Sequence, residues 1–389
     1  MRTTERALSL VNAHGRGAAV RVEGSRIVQL DGVSRAGDLR VDLGGDRLLP
    51  GLINAHDHLQ LNALPRLKYR DRYASAAEWI ADIGPRLKVD PIFVANGAVP
   101  RDQRLLIGGV KNLLSGVTTV AHHDPAHASL LDERFPVRVP RNQGWSHSLT
   151  LDGVEAVQRS FRRTPSHWPW IIHAAEGFDE AARTEFDQLD ALGCLHANTV
   201  LVHGVALGPA QHRRMIAIGA ALVWCPTSNL HLFDRTPDIR VLFDARRLAL
   251  GSDSRISGQR DLLAELRVAS EVSTLDDGEL ESLVTDRAAE VLRVPDRGLL
   301  ARGALADLVV LPAGLPLSRA VRADLRLVLV GGVPRYADPD LAQALGEHAD
   351  LVEVRVDGRR KFLARSVVDA LREARVHEAG LDTLSEKTA

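Results

Sequence analysis

Short runs of apolar residues, each ended by a glycine, a proline or a polar residue, recur along the middle of this 389-residue chain. Four of these runs, at residues 48–53, 168–172, 199–202 and 248–251, lead into His56, His173, His203 and Asp253. Unbroken apolar runs of this length are typical of strands buried on both faces of a parallel sheet. Side chains with metal or acid–base chemistry at the carboxyl ends of such strands are typical of a (β/α)8 TIM barrel, so the pattern predicts an α/β fold of this type.

The two ends of the chain follow a different pattern, in which short alternating strands are broken by glycine and aspartate. Residues 18–22 and 26–30 form one such pair, and the pattern returns at 298–311 and 325–332. Alternation interrupted by glycine is a hairpin signal. The two ends therefore predict antiparallel strands that do not belong to the barrel.

The motif His56-Asp57-His58 follows the first of the apolar runs. Side chains two residues apart on a strand point to the same face, so His56 and His58 can bind one metal ion together while Asp57 faces away. A chain with 15 histidines will contain such a pair by chance, so the pair alone is a weak signal. Its meaning depends on the later strand ends.

Six segments together resemble a known family. They are residues 50–58 (PGLINAHDH), 116–120 (GVTTV), 173–176 (HAAE), 203–204 (HG), 225–230 (CPTSNL) and 251–253 (GSD). Their order and spacing resemble the metal-dependent amidohydrolase superfamily. Within it they look most like the mononuclear branch, with S-adenosylhomocysteine, guanine and cytosine deaminases, triazine hydrolases and imidazolonepropionase. Each segment alone could have a purely structural role, as Asp253 could cap the following helix. The six segments together, in this order, favour an active site.

The resemblance implies a division into domains. In this family the two ends of the chain pair into a small β-sandwich, which is expected here at residues 1–49 and 297–365. The metal-binding barrel would occupy residues 50–296, and a C-terminal helix and tail would occupy residues 366–389. Beyond about residue 337 the pattern predicts a helix, a strand near 351–356 and a helix near 366–375.

The middle of the barrel is expected to be abbreviated or distorted. The interval between Val117 and His173 is short for the two strand–helix units that the family places there. The sequence predicts strands near 135–141 and 145–149 and one helix near 153–162 in this interval.

The resemblance also assigns roles to single residues. The implied ligands of one divalent metal ion are His56, His58, His173 and Asp253. Imidazole and carboxylate ligands suit Zn2+ best and Fe2+ as well, and such an ion generates a hydroxide nucleophile near neutral pH. Glu176 would carry a proton from this water to the substrate, as a general acid and base. His203 would hydrogen-bond the water and the developing oxyanion, and Asp253 would help to accept the proton of the water.

A second metal ion is not expected. Binuclear relatives use a bridging carboxylated lysine, but this chain has no lysine between Lys111 and Lys361. His122, His123 and His147 leave open a second ion held in another way. Because His122 and His123 end a strand and face opposite ways, one of them is expected to enter the site and the other to be structural.

The candidate substrate contacts are Gln60, His122, Trp145, His147 and Arg255. Each follows a predicted strand end or a metal ligand, where a side chain can reach the open coordination position. Packing or loop hydrogen bonding is the structural alternative for each.

Three functions are compatible with these motifs. The first is hydrolytic deamination of an amino-substituted N-heterocycle or a nucleoside-like compound, in which metal-bound hydroxide attacks C=N and Glu176 shuttles the proton. The second is hydrolysis of a cyclic amide or imidazolone-type ring, and the third is a non-catalytic barrel used as a binding scaffold. The first two use the same residues, so the motifs do not separate them. The third is disfavoured because all the ligands are retained. A hydrolase of non-peptide C–N bonds is expected, and a deaminase before a ring hydrolase.

Composition narrows the partners and the compartment. A formal net charge of −1 argues against a nucleic-acid surface, and a small-molecule substrate is expected instead. No apolar segment has the length of a signal peptide or a membrane span, and two cysteines are too few for a disulfide framework. A cytoplasmic protein with no membrane partner is therefore expected, and homo-oligomerisation stays open.

Overall fold

The computed structural model describes residues 6–15, 18–32 and 34–383. The chain begins with five short strands, β1 (Leu8–Val11), β2 (Val20–Glu23), β3 (Arg26–Leu30), β4 (Leu39–Asp42) and β5 (Arg47–Pro50). The first four form one sheet in the order β3-β2-β1-β4, and β2 and β3 are the antiparallel pair that the alternating pattern predicts.

The central part of the chain alternates strands with helices. Its elements are β6 (Leu52–Asp57), α1 (Ala76–Ile83), α2 (Pro91–Ala98), α3 (Arg101–Leu114), β7 (Val117–His122), β8 (Gly144–Ser146), α4 (Leu149–Asp152), α5 (Val154–Arg163), β9 (Trp170–Ala174), α6 (Glu180–Ala191), β10 (Thr199–His203), α7 (Pro209–Ile218), β11 (Ala221–Trp224), α8 (Pro226–Phe233), α9 (Arg240–Asp244), β12 (Leu248–Leu250), α10 (Leu262–Val272), α11 (Asp277–Ser282) and α12 (Asp286–Val291). Strands β8 to β12 form a parallel sheet in sequence order, and β6 pairs in parallel with β7. The carboxyl ends of the strands in each sheet therefore lie at one edge, where the candidate residues follow.

The last part of the chain returns to antiparallel strands. Its elements are β13 (Leu308–Leu311), β14 (Leu327–Val330), β15 (Val333–Ala337), α13 (Pro339–Leu345), β16 (Leu351–Val356), β17 (Arg359–Ala364), α14 (Arg365–Ala374) and β18 (Leu381–Asp382). These strands form a seven-stranded sheet with β5, in the order β18-β16-β17-β15-β14-β13-β5. Strand β17, which the sequence pattern did not predict, continues the hairpin that begins with β16.

The two outer sheets share one apolar cluster. It combines side chains of the N-terminal sheet, such as Leu10 and Ile27, with Leu308, Val310 and Leu329 of the C-terminal sheet. All five side chains are fully buried. Residues from opposite ends of the sequence therefore pack against each other, as apolar faces of two sheets do.

The interval between β7 and β8 is the irregular part of the central strands. Residues 135–141 were predicted as a strand, but they make only a parallel bridge between Arg138 and Thr119. The backbone of Arg138 donates to the carbonyl of Thr118 at 2.8 Å and accepts from the amide of Val120 at 2.9 Å. Residues 123–143, all of them described, contain a 3-10 turn but no α-helix. The predicted helix that follows is present as α5.

A glycine allows the last of the central strands to approach the first. The amide of Asp253, after β12, donates to the carbonyl of His56 at the end of β6 over 3.1 Å. A Cβ atom at position 251 would lie 2.6 Å from the Cβ of His56, so only glycine fits there. Gly251 therefore permits Asp253 to reach the histidines of β6.

Within the described residues, no helix is both long and apolar enough to cross a membrane.

Candidate active site

Four buried histidines converge at the carboxyl ends of β6, β7 and β9. They are His56, His58, His123 and His173, and the nitrogens that they offer lie within 4.8 Å of one another. Three of them are the histidines that the sequence predicts as metal ligands. The fourth, His123, is one of the two histidines at the end of β7.

The spacing of three Nε2 atoms fits one metal ion. The Nε2 of His173 lies 3.2 Å from that of His56 and 3.3 Å from that of His58. Nitrogens bound to zinc at 2.0–2.1 Å in a tetrahedron are separated by about 3.4 Å. The Oδ1 atom of Asp253 lies 3.8 Å from the Nε2 atoms of both His56 and His58. The donor set, three imidazoles and a carboxylate, therefore fits a divalent ion such as Zn2+.

Hydrogen bonds at the opposite ring nitrogens orient two of these imidazoles. The Nδ1 of His58 lies 2.7 Å from Oδ2 of Asp124, and the Nδ1 of His173 lies 2.8 Å from the carbonyl oxygen of His147. Because both partners are acceptors, each Nδ1 carries the proton and each Nε2 presents a lone pair. The sequence reading did not single out Asp124, although it directly follows His122-His123 at a strand end.

His123 supports His56 rather than competing with it. The Nε2 of His123 donates to the carbonyl of Ser146 at 2.8 Å, which leaves its Nδ1 as an acceptor 3.3 Å from the Nδ1 of His56. His56 must then donate from Nδ1 and keep the lone pair of Nε2 free. This relay explains why a fourth histidine lies in the group although both of its nitrogens already have partners.

We expect Asp124→Asn to weaken zinc binding by about tenfold to a hundredfold, because residues that orient metal-ligating histidines have effects of this size. Competition with a chelator of known affinity measures this change. Asp132→Asn is the matched control, since Asp132 is exposed on the same segment and pairs with Arg134. Equal zinc affinity in the two variants would contradict the role of Asp124.

Asp124 and Asp253 favour a positive charge among the histidines, either on a protonated His58 or on a metal ion. Burial, assisted by neighbouring histidines, lowers the pKa of His56 and His173 well below its usual range. At His58 burial acts in the same direction, but Asp124 and Asp253 outweigh it and raise the pKa to about 9. A metal cation would satisfy the same carboxylates and leave His58 neutral, which is the form that binds metals.

Glu176 lies beside this centre, close to His203. Its Oε1 is 3.5 Å from the Nε2 of His203, whose Nδ1 lies 2.9 Å from the amide oxygen of Asn229. Burial raises the pKa of Glu176 well above its usual range, and the charges of Asp253 and Glu185 act in the same direction. A carboxyl group with a raised pKa can both accept and donate a proton near neutral pH.

Asp253 is held ionised by hydroxyl groups from two segments. Its Oδ2 accepts from the hydroxyl of Ser228 at 2.8 Å and from that of Ser257 at 2.7 Å. Burial opposes ionisation, but His58, His203 and these hydroxyls keep the pKa of Asp253 below its usual value. The segment at 225–230 thus has a structural role at the site, because Ser228 holds Asp253 and its neighbour Asn229 holds His203.

Backbone strain accompanies the candidate residues. His203 and Asp253 have φ values of 73° and 51°, and Ala175, beside Glu176, has a φ of 53°. Non-glycine residues rarely adopt this left-handed conformation, and where they do, they cluster at functional sites.

A buried polar network lies beneath the ligands. Asp57 faces away from the histidines, as predicted, and accepts from the ammonium group of Lys111 at 3.1 Å. The same ammonium group donates to Asn62, to Ser252 and to the backbone carbonyl of Asp253. Lys111 and Asp57 are fully buried, so each charge depends on the other. The network ties the end of β6 to the end of β12 and thereby sets the relative position of their ligands.

A cavity of about 420 Å3 opens onto the histidines, Glu176 and Asp253. Its outer walls are apolar and come largely from α1, α2 and the segments after β6 and β12, with Leu61, Leu64, Trp79, Phe93 and Ile256 among them. A second cavity of about 200 Å3 also contacts Glu176 and extends toward α6. These apolar walls were not predicted from the sequence, because residues 59–98 contain no motif that marks them as part of a site.

The candidate substrate contacts differ in whether they line the cavity. His147 lines the cavity at Glu176. Gln60 is half-buried near His58, and its Oε1 has no hydrogen-bond partner. His122 is buried under Leu59, and the Nδ1 of His122 lies 3.4 Å from the amide nitrogen of Leu59. Trp145 packs edge-on against His123, with 5.5 Å between the ring centroids, and does not line the cavity.

Arg255 turns away from the metal centre. Its guanidinium forms an ion pair at 2.9 Å with Glu378, a fully buried residue. The same guanidinium donates to the carbonyl of Asn62 at 3.2 Å. The arginine therefore anchors the segment after β12 to the C-terminal part of the chain, and it is not placed to contact a substrate in the cavity.

Comparisons with known proteins bear on this arrangement. The sequence model described as "Amidohydrolase family" matches residues 166–337, which include β9 to β12 with His173, Glu176, His203 and Asp253. A 5-methylthioadenosine/S-adenosylhomocysteine deaminase of Halobacterium salinarum is 25% identical over 333 residues, which cover 73% of this chain and 77% of the relative. A similar deaminase of Pyrococcus abyssi is 28% identical over 199 residues, which cover 44% of this chain and 47% of that relative.

Solved structures show the same fold. An adenosine deaminase from Xanthomonas campestris with bound zinc superposes with a TM-score of 0.69 at 20% identity, covering 85% of this chain and 92% of the other. Atrazine chlorohydrolase from Arthrobacter aurescens TC1, complexed with zinc, gives a TM-score of 0.67 at 18% identity, covering 83% and 91%. The chain thus has a TIM-barrel-like α/β fold. Residues 166–337 match the amidohydrolase family model, and the resemblance of the chain to the amidohydrolase superfamily is confirmed.

Proposed function

We propose that this chain is a metal-dependent hydrolase that deaminates an amino-substituted N-heterocycle or a nucleoside-like compound. The observation that carries the proposal is the convergence of three imidazole Nε2 atoms at 3.2–3.3 Å, with Glu176 and Asp253 facing the same cavity. The relatives named as 5-methylthioadenosine/S-adenosylhomocysteine deaminases support removal of an amino group from a heterocycle.

His56, His58, His173 and Asp253 would hold one divalent ion, with Zn2+ preferred. When bound, such an ion supplies a nucleophilic water at neutral pH. A bound zinc ion in the solved adenosine deaminase supports this choice of metal. His123 lies beyond His56 and would orient it.

The protons are moved by this chain's own carboxyl groups. Glu176 takes a proton from the nucleophilic water and gives it to the ring nitrogen of the substrate, so that the C=N carbon accepts the new C–O bond. Its raised pKa suits it to both steps. His203, whose Nδ1 donates to Asn229, would accept a hydrogen bond from the nucleophilic water at its Nε2. Once protonated there, it would donate that proton in a hydrogen bond to the developing oxyanion. Asp253 would then pass the remaining proton of the attacking water to the amino group. The C–N bond breaks, the carbonyl forms and ammonia leaves.

The apolar walls indicate what surrounds the reacting carbon. Trp79 and Phe93 offer aromatic surface, and Leu61, Leu64 and Ile256 add aliphatic surface. Such a lining suits a flat heterocycle with an apolar substituent and holds it by burial and stacking.

The two outer sheets, which share one apolar cluster, support a discontinuous β-sandwich domain made from both ends of the chain. We infer that it comprises residues 1–49 and 297–365, beside a barrel at 50–296 and a tail at 366–389.

A substrate panel tests the proposed reaction. Zinc-loaded protein is assayed with aminopurines, aminopyrimidines, methylthioadenosine and cyclic amides, and both ammonia and ring opening are measured. Ammonia release from at least one aminoheterocycle is expected. Ring opening of a cyclic amide without ammonia from any amine would contradict deamination and favour hydrolysis of cyclic amides.

A further inference from the structure

A third cavity lies at a distance from the metal centre along the central strands. Its volume is about 790 Å3, and it shares no lining residue with the two cavities at Glu176. Its walls come from residues 130–142 after β7, residues 293–297 after α12, and residues 330–335 at the β14–β15 hairpin. Arg138 in this wall pairs with the early part of β7, whereas the candidate histidines follow the end of that strand. A volume of this size is typical of ligand sites.

The polar lining of this cavity is dominated by arginine. The arginines are Arg138, Arg141, Arg293, Arg297 and Arg335. The carboxylates are Asp132, Glu133 and Asp296. Asp132 is paired with an arginine outside the lining, since it lies 2.9 Å from Arg134. Asp296 is paired with Arg26, outside the lining, at 3.1 Å and with Arg297, inside it, at 3.4 Å. The cavity therefore carries an excess of positive charge.

Neutral groups hold several of these guanidinium groups in place. Arg293 donates to the carbonyl of Ser166 at 2.9 Å, and Arg335 donates to the carbonyl of Glu133 at 2.8 Å. Within residues 34–383 neither of them forms an ion pair, and neither does Arg141. Their charges are fixed at the cavity wall without a neutralising carboxylate.

One donor in the wall, the Nε atom of Arg335, is buried without a partner. The Nε atom of Arg138 is buried as well, and it forms an ion pair with Oδ1 of Asp307 at 3.5 Å. Burial and the charge of Arg138 lower the pKa of Arg335. An unsatisfied buried donor is costly, and an anionic oxygen is the group that satisfies an arginine fork best.

We propose that this cavity binds a phosphorylated small molecule, with the phosphate at Arg138 and Arg335. Arginine matches phosphate oxygens with two parallel donors, which favours phosphate over a single carboxylate oxygen. The side chains of Val137, Val139 and Val294 line the same space and would contact an apolar or aromatic part of the ligand. The site is independent of the metal centre and of the reaction proposed there.

Calorimetric titration of the full chain tests the proposal, with phenyl phosphate, inorganic phosphate and sulfate at constant ionic strength. A chelator is present, so that no anion binds an ion at the histidines. We expect saturable binding of phenyl phosphate, at least tenfold tighter than that of sulfate. Absence of saturable binding, or equal affinity for sulfate, would overturn the proposal.

Variants locate the site. Arg138→Gln combined with Arg335→Gln, the two arginines placed at the phosphate, is expected to weaken phenyl phosphate binding at least tenfold. Arg214→Gln, an exposed arginine on α7 that pairs with Asp190, is the matched control and should bind as the unchanged chain does. Since Arg141 is exposed, Arg141→Gln alone should fold normally and weaken binding measurably. Unchanged affinity in both the single and the double variant would overturn the assignment.

Discussion

Replacing Glu176 with glutamine is expected to lower kcat for ammonia release by roughly 10²- to 10⁴-fold while the protein retains its metal ion. General acid–base groups contribute rate enhancements of this size. Glutamine fills the same space but cannot accept or donate the proton that the carboxyl group transfers. Glu176 lies outside the group of four histidines, so metal content should not change.

The matched control is Glu180→Gln, an exposed residue at the start of α6. It makes the same substitution in the same part of the chain and should leave kcat within about twofold, as surface changes away from a site usually have small effects. Steady-state ammonia assays and metal analysis of both variants measure the difference. A Glu176→Gln variant with unchanged kcat would remove Glu176 from the mechanism.

Replacing His173 with alanine is expected to abolish both zinc binding and ammonia release. His173 provides the Nε2 that lies within 3.3 Å of the Nε2 atoms of both His56 and His58, so its loss removes the centre of the donor set. The remaining donors, His56, His58 and Asp253, lack the imidazole that lies beside both of the other two histidines, and the Oδ1 of Asp253 is 3.8 Å from the Nε2 of each of those. Zinc content after dialysis should fall from about one ion per chain to near zero, as ligand removal predicts.

His348→Ala, at an exposed position, is the control for loss of a histidine as such. It should retain zinc and activity. Thermal unfolding of both variants without metal shows whether the His173 variant is folded. A folded His173→Ala protein that binds zinc as tightly as the control would contradict the proposed ligand set.

The apolar runs predicted the central strands because a strand that is buried on both faces needs apolar residues at consecutive positions. Three of the four runs each became one strand, and the run at 48–53 is divided between β5 and β6. His56, His173, His203 and Asp253 lie at or just after the strand ends. The residues between β7 and β8 were less predictable. There the backbone of Arg138 pairs with β7 through two hydrogen bonds. So short a contact needs no long apolar run, so the sequence pattern does not indicate where it forms.

Side-chain choices that depend on distant partners were not visible in the sequence. The alternation of His122 and His123 predicted that one would enter the site, but only the position of Ser146 and His56 shows that it is His123. Arg255 follows the loop after β12 as a substrate contact would, yet its partner Glu378 lies near the other end of the sequence. The apolar cavity wall from α1 and α2 is similarly defined by long-range packing rather than by a motif.

Zinc titration of metal-free protein tests the central claim most directly. Protein stripped with a chelator is titrated with Zn2+, and ammonia release from the best aminoheterocycle of the panel is followed. We expect no activity without metal and a linear rise that ends at about one ion per chain, since His56, His58, His173 and Asp253 form a single donor set. Full ammonia release from the metal-free protein, or a rise that continues to two ions per chain, would contradict it.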